Sequence, residues 1–404
     1  MKHILFIFFI IFSVSCQDKK NDKSASQIET TTDLADKSFI KKLDSLYNIG
    51  IFKGFSAAVV DTTGILYNQG FGYADLGNKK KFTENTIINI ASISKVFVGI
   101  ALLKAEELSL IDLDDPINKY LPFEVVNPNF PNEPIMVRQL ATHSSSLIDT
   151  DMYMQTDYIN KDDVDIAENL KEKYGLYYQN PSEDWIPLSQ YLEKLLDKGG
   201  ALYDASTFAN RKPGEVYEYS NIGTALCALV IEYASKQPFN EFTEEYIFSP
   251  LDMSSTGWFF EEVDRAKYSK LYYDDQVLPY YKILSYPDGG LITSSTDLSK
   301  FLVELIKGYS GKGTILNTDS YNEFFKSQLK EKAFKKANYN VGIFIEKELT
   351  YHEIGHTGGD PGTNTLMYFN TETKKGKILI LNTDSNKENS MDVYWGIWKT
   401  LDEF

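Results

Sequence analysis

The sequence predicts an α+β protein: one antiparallel β-sheet, flanked by N- and C-terminal helices and interrupted by a mostly helical insertion. Three observations predict it. Short apolar runs bounded by turn residues occur towards both ends of the 404-residue chain. Apolar residues at helical spacing lie outside those runs. The long stretch between them alternates helical patterns with loops rich in Pro, Asn, Asp and Tyr.

In chain order, Lys2 and His3 precede an unbroken apolar run from Ile4 to Phe12, followed by Ser13-Val14-Ser15-Cys16. The run is too short for a stable spanning helix, and it reads as a signal peptide over residues 1–15. A cysteine directly after the small residues is similar to a bacterial lipobox, which makes Cys16 the expected lipidated first residue and the membrane the expected partner of that lipid. The expected location is the cell envelope, on its periplasmic face or at the outer membrane or cell surface. Residues 16–37 are polar and read as a tether, leaving residues 38–404 as the folded domain. Without the leader, Cys227 is the only thiol, so no intrachain disulfide framework is available.

Ala35 to Tyr47 reads as a helix, and Phe55–Val60 with Ile65–Phe71 as a hairpin over Asp61-Thr62-Thr63-Gly64. Ile87–Ile90 is a short apolar run, and Lys95–Leu108 is apolar all round, as a buried helix must be. The insertion, roughly residues 92–281, includes helical stretches at Leu188–Leu196 and Thr224–Ala234. Strands are expected at Val341–Ile345, Leu366–Phe369 and Lys377–Leu381, and a closing helix at Met391–Leu401. The chain has 43% apolar residues, enough for a large core, and 57 acidic against 41 basic residues. A net charge of -16 with no basic stripe disfavours a nucleic-acid partner.

The chemistry is carried by Ser92-Ile93-Ser94-Lys95. Serine and lysine three residues apart share a helix face, so the amine reaches the hydroxyl it must deprotonate. The spacing is weak evidence alone: 31 serines and 38 lysines among 404 residues yield about three matches by chance. Three exist, at Ser38-Lys41, Ser92-Lys95 and Ser327-Lys330. The first borders the tether and the last lies in a lysine-rich polar stretch, where both amines stay solvated. Ser92 follows an apolar strand and opens an apolar helix, so desolvation lowers the proton affinity of Lys95, and the helix N-terminus favours a developing oxyanion.

Tyr219-Ser220-Asn221 and His356-Thr357-Gly358 follow in order. With Leu140-Ala141-Thr142-His143-Ser144-Ser145-Ser146-Leu147, Pro213-Gly214, Pro250-Leu251-Asp252-Met253 and Gly289-Gly290-Leu291, the chain from about Phe39 onward resembles the class C serine β-lactamases and the related DD-peptidases and esterases. The resemblance implies the β-lactamase/transpeptidase-like fold and no cofactor. It implies that Ser92 attacks a carbonyl while Lys95 and Tyr219 shuttle its proton. Asn221 is implied to bind the substrate amide or position Lys95. The N–H groups of Ser92 and Gly359 would form the oxyanion hole, and Thr357 would line the carboxylate side. Substrates implied are D-alanyl or D-amino-acid peptides, small esters or β-lactams, acted on by a monomer. Two positions depart from the pattern: His356 stands where most β-lactamases have lysine, a weaker anchor for a substrate carboxylate, and Ser146 stands where glycine is common. His143 is expected to be a satisfied packing residue.

Rival readings are a receptor that acylates without turnover, and a zinc peptidase. His352-Glu353-Ile354-Gly355-His356 satisfies the pattern His-Glu-x-x-His, but the glycines there oppose the helix that would bring both rings to one metal, so no metal site is expected. No Gly-x-Ser-x-Gly elbow occurs.

Overall fold

The computed structural model describes residues 31–330, 333–334 and 339–404. Cys16, the leader and most of the tether lie outside the described residues.

Eight antiparallel strands form the main sheet: β1 (Gly54–Asp61), β2 (Gly64–Asp75), β3 (Lys80–Lys81), β4 (Tyr339–Val341), β5 (Glu346–Glu348), β6 (Glu353–Asp360), β7 (Thr363–Asn370) and β8 (Gly376–Leu381). Their spatial order is β4-β5-β6-β7-β8-β1-β2-β3, so the two ends of the chain meet at β8 and β1, with Phe55 opposite Leu381. This confirms the α+β class. The period of two then sorts the side chains. Phe55, Ala57, Val59, Leu379 and Leu381 face one layer, where they pack with Phe39 and Leu43 of helix α1 (Thr31–Tyr47) and Ile397 and Trp398 of the C-terminal helix Ser390–Thr400. Ala58, Val60, Ile378 and Ile380 face the opposite layer, the larger core.

The centre of that larger core is helix α2 (Ser94–Glu107), on which Ser94 to Leu103 and Ala105 are all buried. Helix α3 (Asn221–Ser235) and helix α4 (Ser295–Tyr309) pack against it, and Phe97 stacks on Phe301 with ring centroids 3.8 Å apart. Burying an aromatic pair of this kind stabilises the layer by about 1 kcal/mol beyond its area alone.

Four expectations are corrected. Helix α1 begins at Thr31, so residues 31–36 are helical and not the end of a tether. Val341–Ile345 is not a strand: β4 ends at Val341, and Phe344 turns into the left-handed region at φ 50°. Its N–H bonds the carbonyl of Ala141 at 2.8 Å, and tertiary burial of Ile343, Phe344 and Ile345 replaces strand pairing. The insertion is less helical than its composition suggests, since long loops and short strands at Tyr158–Asn160, Leu271–Tyr273, Gln276–Leu278 and Tyr281–Ile283 separate its helices. It also does not end near residue 281: helix α4 and helix Thr318–Phe325 lie between it and the returning strands.

Candidate active site

Strand Ile87–Asn89 delivers the chain to Ala91, which takes the left-handed φ of 49° and is held there by its N–H on Asn89 Oδ1 at 2.6 Å. A non-glycine residue in this region is strained, and the strain persists only where the surroundings over-determine it. The strained turn sets Ser92 on a short 3₁₀ segment that runs into α2. Ser92 is half-buried at the cleft, whereas Lys95 is wholly buried. The Lys95 Nζ donates to Ser92 Oγ at 3.1 Å and to the carbonyl of Asp288. Burial lowers the proton affinity of this amine, although Asp288, Asp149, Asp360 and Asp157 oppose the shift.

Tyr219 is fixed beside this pair from three directions. Ser220 caps α3 through its hydroxyl, which accepts from Gly223 N at 2.9 Å. Asp149 accepts the N–H groups of Asn221 at 3.0 Å and Ile222 at 3.1 Å. His143 stacks on the Tyr219 ring at 4.6 Å, and its Nδ1 accepts the N–H of Ser220 at 3.2 Å. The ring of Tyr219 lies 5.0 Å from Lys95 Nζ. Burial pushes the phenol well above its usual range, and a hydrogen bond with Ser92 partly offsets that. Burial therefore favours a neutral amine and a protonated phenol, one base and one acid around the same hydroxyl.

Strand β6 closes the cleft. His356 is buried, its ring centroid 6.1 Å from that of Tyr219, and its Nδ1 meets the carbonyl of Thr357 at 2.5 Å. Burial keeps its imidazole below the usual titration range. Thr357 and Gly359 are exposed, and Gly358 points the other way into contact with the serine turn. A Cβ on Gly358 would stand 2.3 Å from the Ile90 carbonyl oxygen and 3.2 Å from Ser92 N, so only glycine allows the approach.

Of the predicted residues, Ser92, Lys95, Tyr219, His356 and Gly358 are thus brought into contact with one another, and Asn221, Thr357 and Gly359 stand beside them in the chain. No hydrogen bond of the Asn221 carboxamide is seen among the described residues, and the Lys95 contacts run to Ser92 Oγ and the Asp288 carbonyl. His143 is only half satisfied: its Nε2 is buried without a partner among the described residues. Ser146 adopts φ 67°, the conformation for which glycine is suited, and its hydroxyl bonds the Arg211 carbonyl at 3.0 Å. The zinc motif does not form a helical turn. His352 precedes β6 with an exposed ring, while His356 is buried within the strand.

Sequence reasoning missed a set of buried and half-buried acids around the cleft. Asp288 Oδ2 accepts from Tyr153 Oη at 2.8 Å, and Asp157 Oδ1 from Ser285 N at 2.9 Å. Burial raises both carboxyls, Asp288 to about 6. Asp360 ends β6 and accepts from Tyr158 Oη at 2.6 Å. The only signal in the sequence was placement: Asp288 directly precedes Gly289-Gly290, and Asp360 directly follows Gly358-Gly359.

A buried amine on a half-exposed serine, in an α+β cleft closed by a sheet strand, marks a serine hydrolase of the β-lactamase and DD-peptidase type. A profile of the Beta-lactamase family matches residues 46–400, and the chain belongs to that family. It is 25% identical over 378 residues to penicillin-binding protein 4* of Bacillus subtilis, covering 86% of this chain and 73% of that one. Of several other curated relatives it spans only about 60% of the length. Among solved structures it is similar to the octameric penicillin-binding protein homologue of Pyrococcus abyssi, with a TM-score of 0.67, 24% identity and coverage of 87% and 74%. It is also similar to D-amino acid amidase of Ochrobactrum anthropi, with a TM-score of 0.66, 22% identity and coverage of 91% and 98%.

Proposed function

We propose that Ser92 is the acylated nucleophile of an exported, lipid-anchored hydrolase of D-amino-acid peptides, related amides or small esters. The observation that carries the reading is the 3.1 Å contact between the Ser92 hydroxyl and the buried Lys95 amine. Lys95, its proton affinity lowered by burial, takes the Ser92 proton as Oγ bonds the carbonyl carbon. The N–H groups of Ser92 and Gly359 receive the oxyanion. Tyr219 then protonates the departing amine or alcohol, the carbonyl–leaving-group bond breaks, and water releases the acyl group by the reverse relay. Asn221 serves the substrate amide and Thr357 the leaving-group side. The relatives include penicillin-binding proteins and a D-amino acid amidase, which supports this substrate range.

A neutral His356 supplies no fixed charge for a carboxylate, which favours peptidase, amidase or esterase action over dedicated β-lactam hydrolysis. Intact-mass analysis after exposure to a fluorophosphonate should show one adduct in the wild type and none in Ser92→Ala; an adduct on that variant removes Ser92 from the mechanism. A single burst without steady-state turnover would instead identify a non-turnover receptor. In this reading a lipid at Cys16, followed by a polar tether, holds the catalytic domain at the cell envelope. Cys16→Ser should shift the protein from the membrane fraction to the soluble fraction.

A further inference from the structure

His356 and Asp360 stand four residues apart on one face of strand β6. His356 neighbours Tyr219, the proton donor to the leaving group, so the leaving group occupies the His356 end of the strand. Gly359 contributes to the oxyanion pocket, and the next residue, Asp360, therefore stands about 3.3 Å further along the strand, on the side of the acyl substituents. We propose that Asp360 reads a free ammonium on the acyl half of the substrate, so that the enzyme prefers amides, peptides or esters of unblocked amino acids. The inference rests on Ser92 being the nucleophile.

Asp360 is held as a recognition group must be. It pairs with Thr363 across the tight Pro361-Gly362 hairpin, and the N–H of Gly362 is bonded to Asp384 at 3.0 Å. One carboxylate oxygen, Oδ1, is taken by Tyr158 at 2.6 Å. The other, Oδ2, has no hydrogen-bond partner among the described residues and lies 3.6 Å from the position a Cβ would take on Gly289, a glycine that also borders Ala91 beside Ser92. The titratable groups facing it are Tyr158, Lys95, Asp288 and Asp384. Tyr158 packs edge-on against Tyr177 at 4.6 Å and close to Tyr281 at 5.5 Å, a π-rich wall that suits a cation.

The three arginines, whose forks could fix a substrate carboxylate, are engaged elsewhere. Arg138 pairs with Asp114 and Glu323, Arg211 with Glu218, and Arg265 with Glu261. Burial holds both cleft histidines, His143 and His356, in the neutral form. Burial also pushes the Asp360 carboxyl up to about 7, a cost that an ammonium partner relieves.

The test compares phenylalanine p-nitroanilide, using its faster enantiomer, with its N-acetyl derivative. Wild type should prefer the free amine, and Asp360→Asn, which keeps the acceptor for Tyr158, should raise KM for the free amine about ten- to a hundredfold. KM for the N-acetyl compound should stay level, and Asp360→Glu should recover part of the loss. Fluorophosphonate should still label Ser92 in both variants, which reports an intact nucleophile. A preference for the N-acetyl compound, no turnover of either anilide, or an unchanged ratio in Asp360→Asn overturns the proposal while leaving Ser92 as nucleophile. Absence of labelling in the wild type overturns both.

Discussion

Ser92 and Lys95 share their spacing with Ser327 and Lys330, yet the two pairs stand in opposite surroundings. Ser327 and Lys330 are both exposed, and the Ser327 hydroxyl accepts from Lys347 at 3.0 Å. Lys95 is buried, bonded to its serine and to a main-chain carbonyl, and overlaid by Tyr219. The motif supplies reach, while the dry environment supplies a base: an amine in water holds its proton, and one that has lost its hydration gives it up. Ser38 and Lys41 are exposed as well, so one spacing occurs three times and acquires chemistry once.

The largest test of that contrast is to delete each pair. Ser92→Ala or Lys95→Ala should cut the rate of acylation by at least about 10⁴-fold, whereas Ser327→Ala and Lys330→Ala should leave it at wild type; equal effects would break the comparison. Tyr219→Phe removes one hydroxyl and should slow turnover by roughly 10²- to 10³-fold with little change in Tm. Gly358→Ala places a methyl group against Ile90 O and Ser92 N and should displace the serine turn, costing about 10²-fold in labelling rate. If that variant labels normally, the strand approach does not set the geometry of Ser92.

The smallest effect is on stability against pH. Asp360 titrates at about 7 and Asp288 at about 6 in the fold, against 3.8 otherwise, chiefly because burial disfavours their charged forms. A carboxyl raised on folding contributes stability that is complete below 3.8 and is lost as pH climbs through the raised value. Denaturation midpoints should therefore fall between about pH 4 and pH 7, and Asp288→Asn should flatten part of the slope. Lys95 acts in the reverse sense. Its lowered affinity means that the folded state binds fewer protons than the unfolded state below 10.5, so its contribution rises with pH there. Lys95→Met should remove that rise.

Much of the site was legible because its parts are short and local. A strand, a serine and an apolar helix announce one another in sequence, and His-Thr-Gly-Gly carries glycines that only a close approach requires. The zinc pattern in the same segment was answered by local physics too, since its glycines suit β6 and oppose a helix. The acids at 149, 157, 288 and 360 were not legible. Each looks like an ordinary surface aspartate until the chain folds.

By itself the sequence determined the class of fold, the positions of the outer helices and central hairpins, and the serine and lysine that could react. These follow from periodicity and spacing, which act over a few residues. Only the tertiary structure decided that Phe344 leaves the strand to pack on His143, that His143 supports Tyr219, that Asp288 O holds Lys95, and that Asp360 ends the strand against Tyr158. Those outcomes depend on burial and on contacts between segments far apart in the chain, and no local pattern encodes which charge will lose its water.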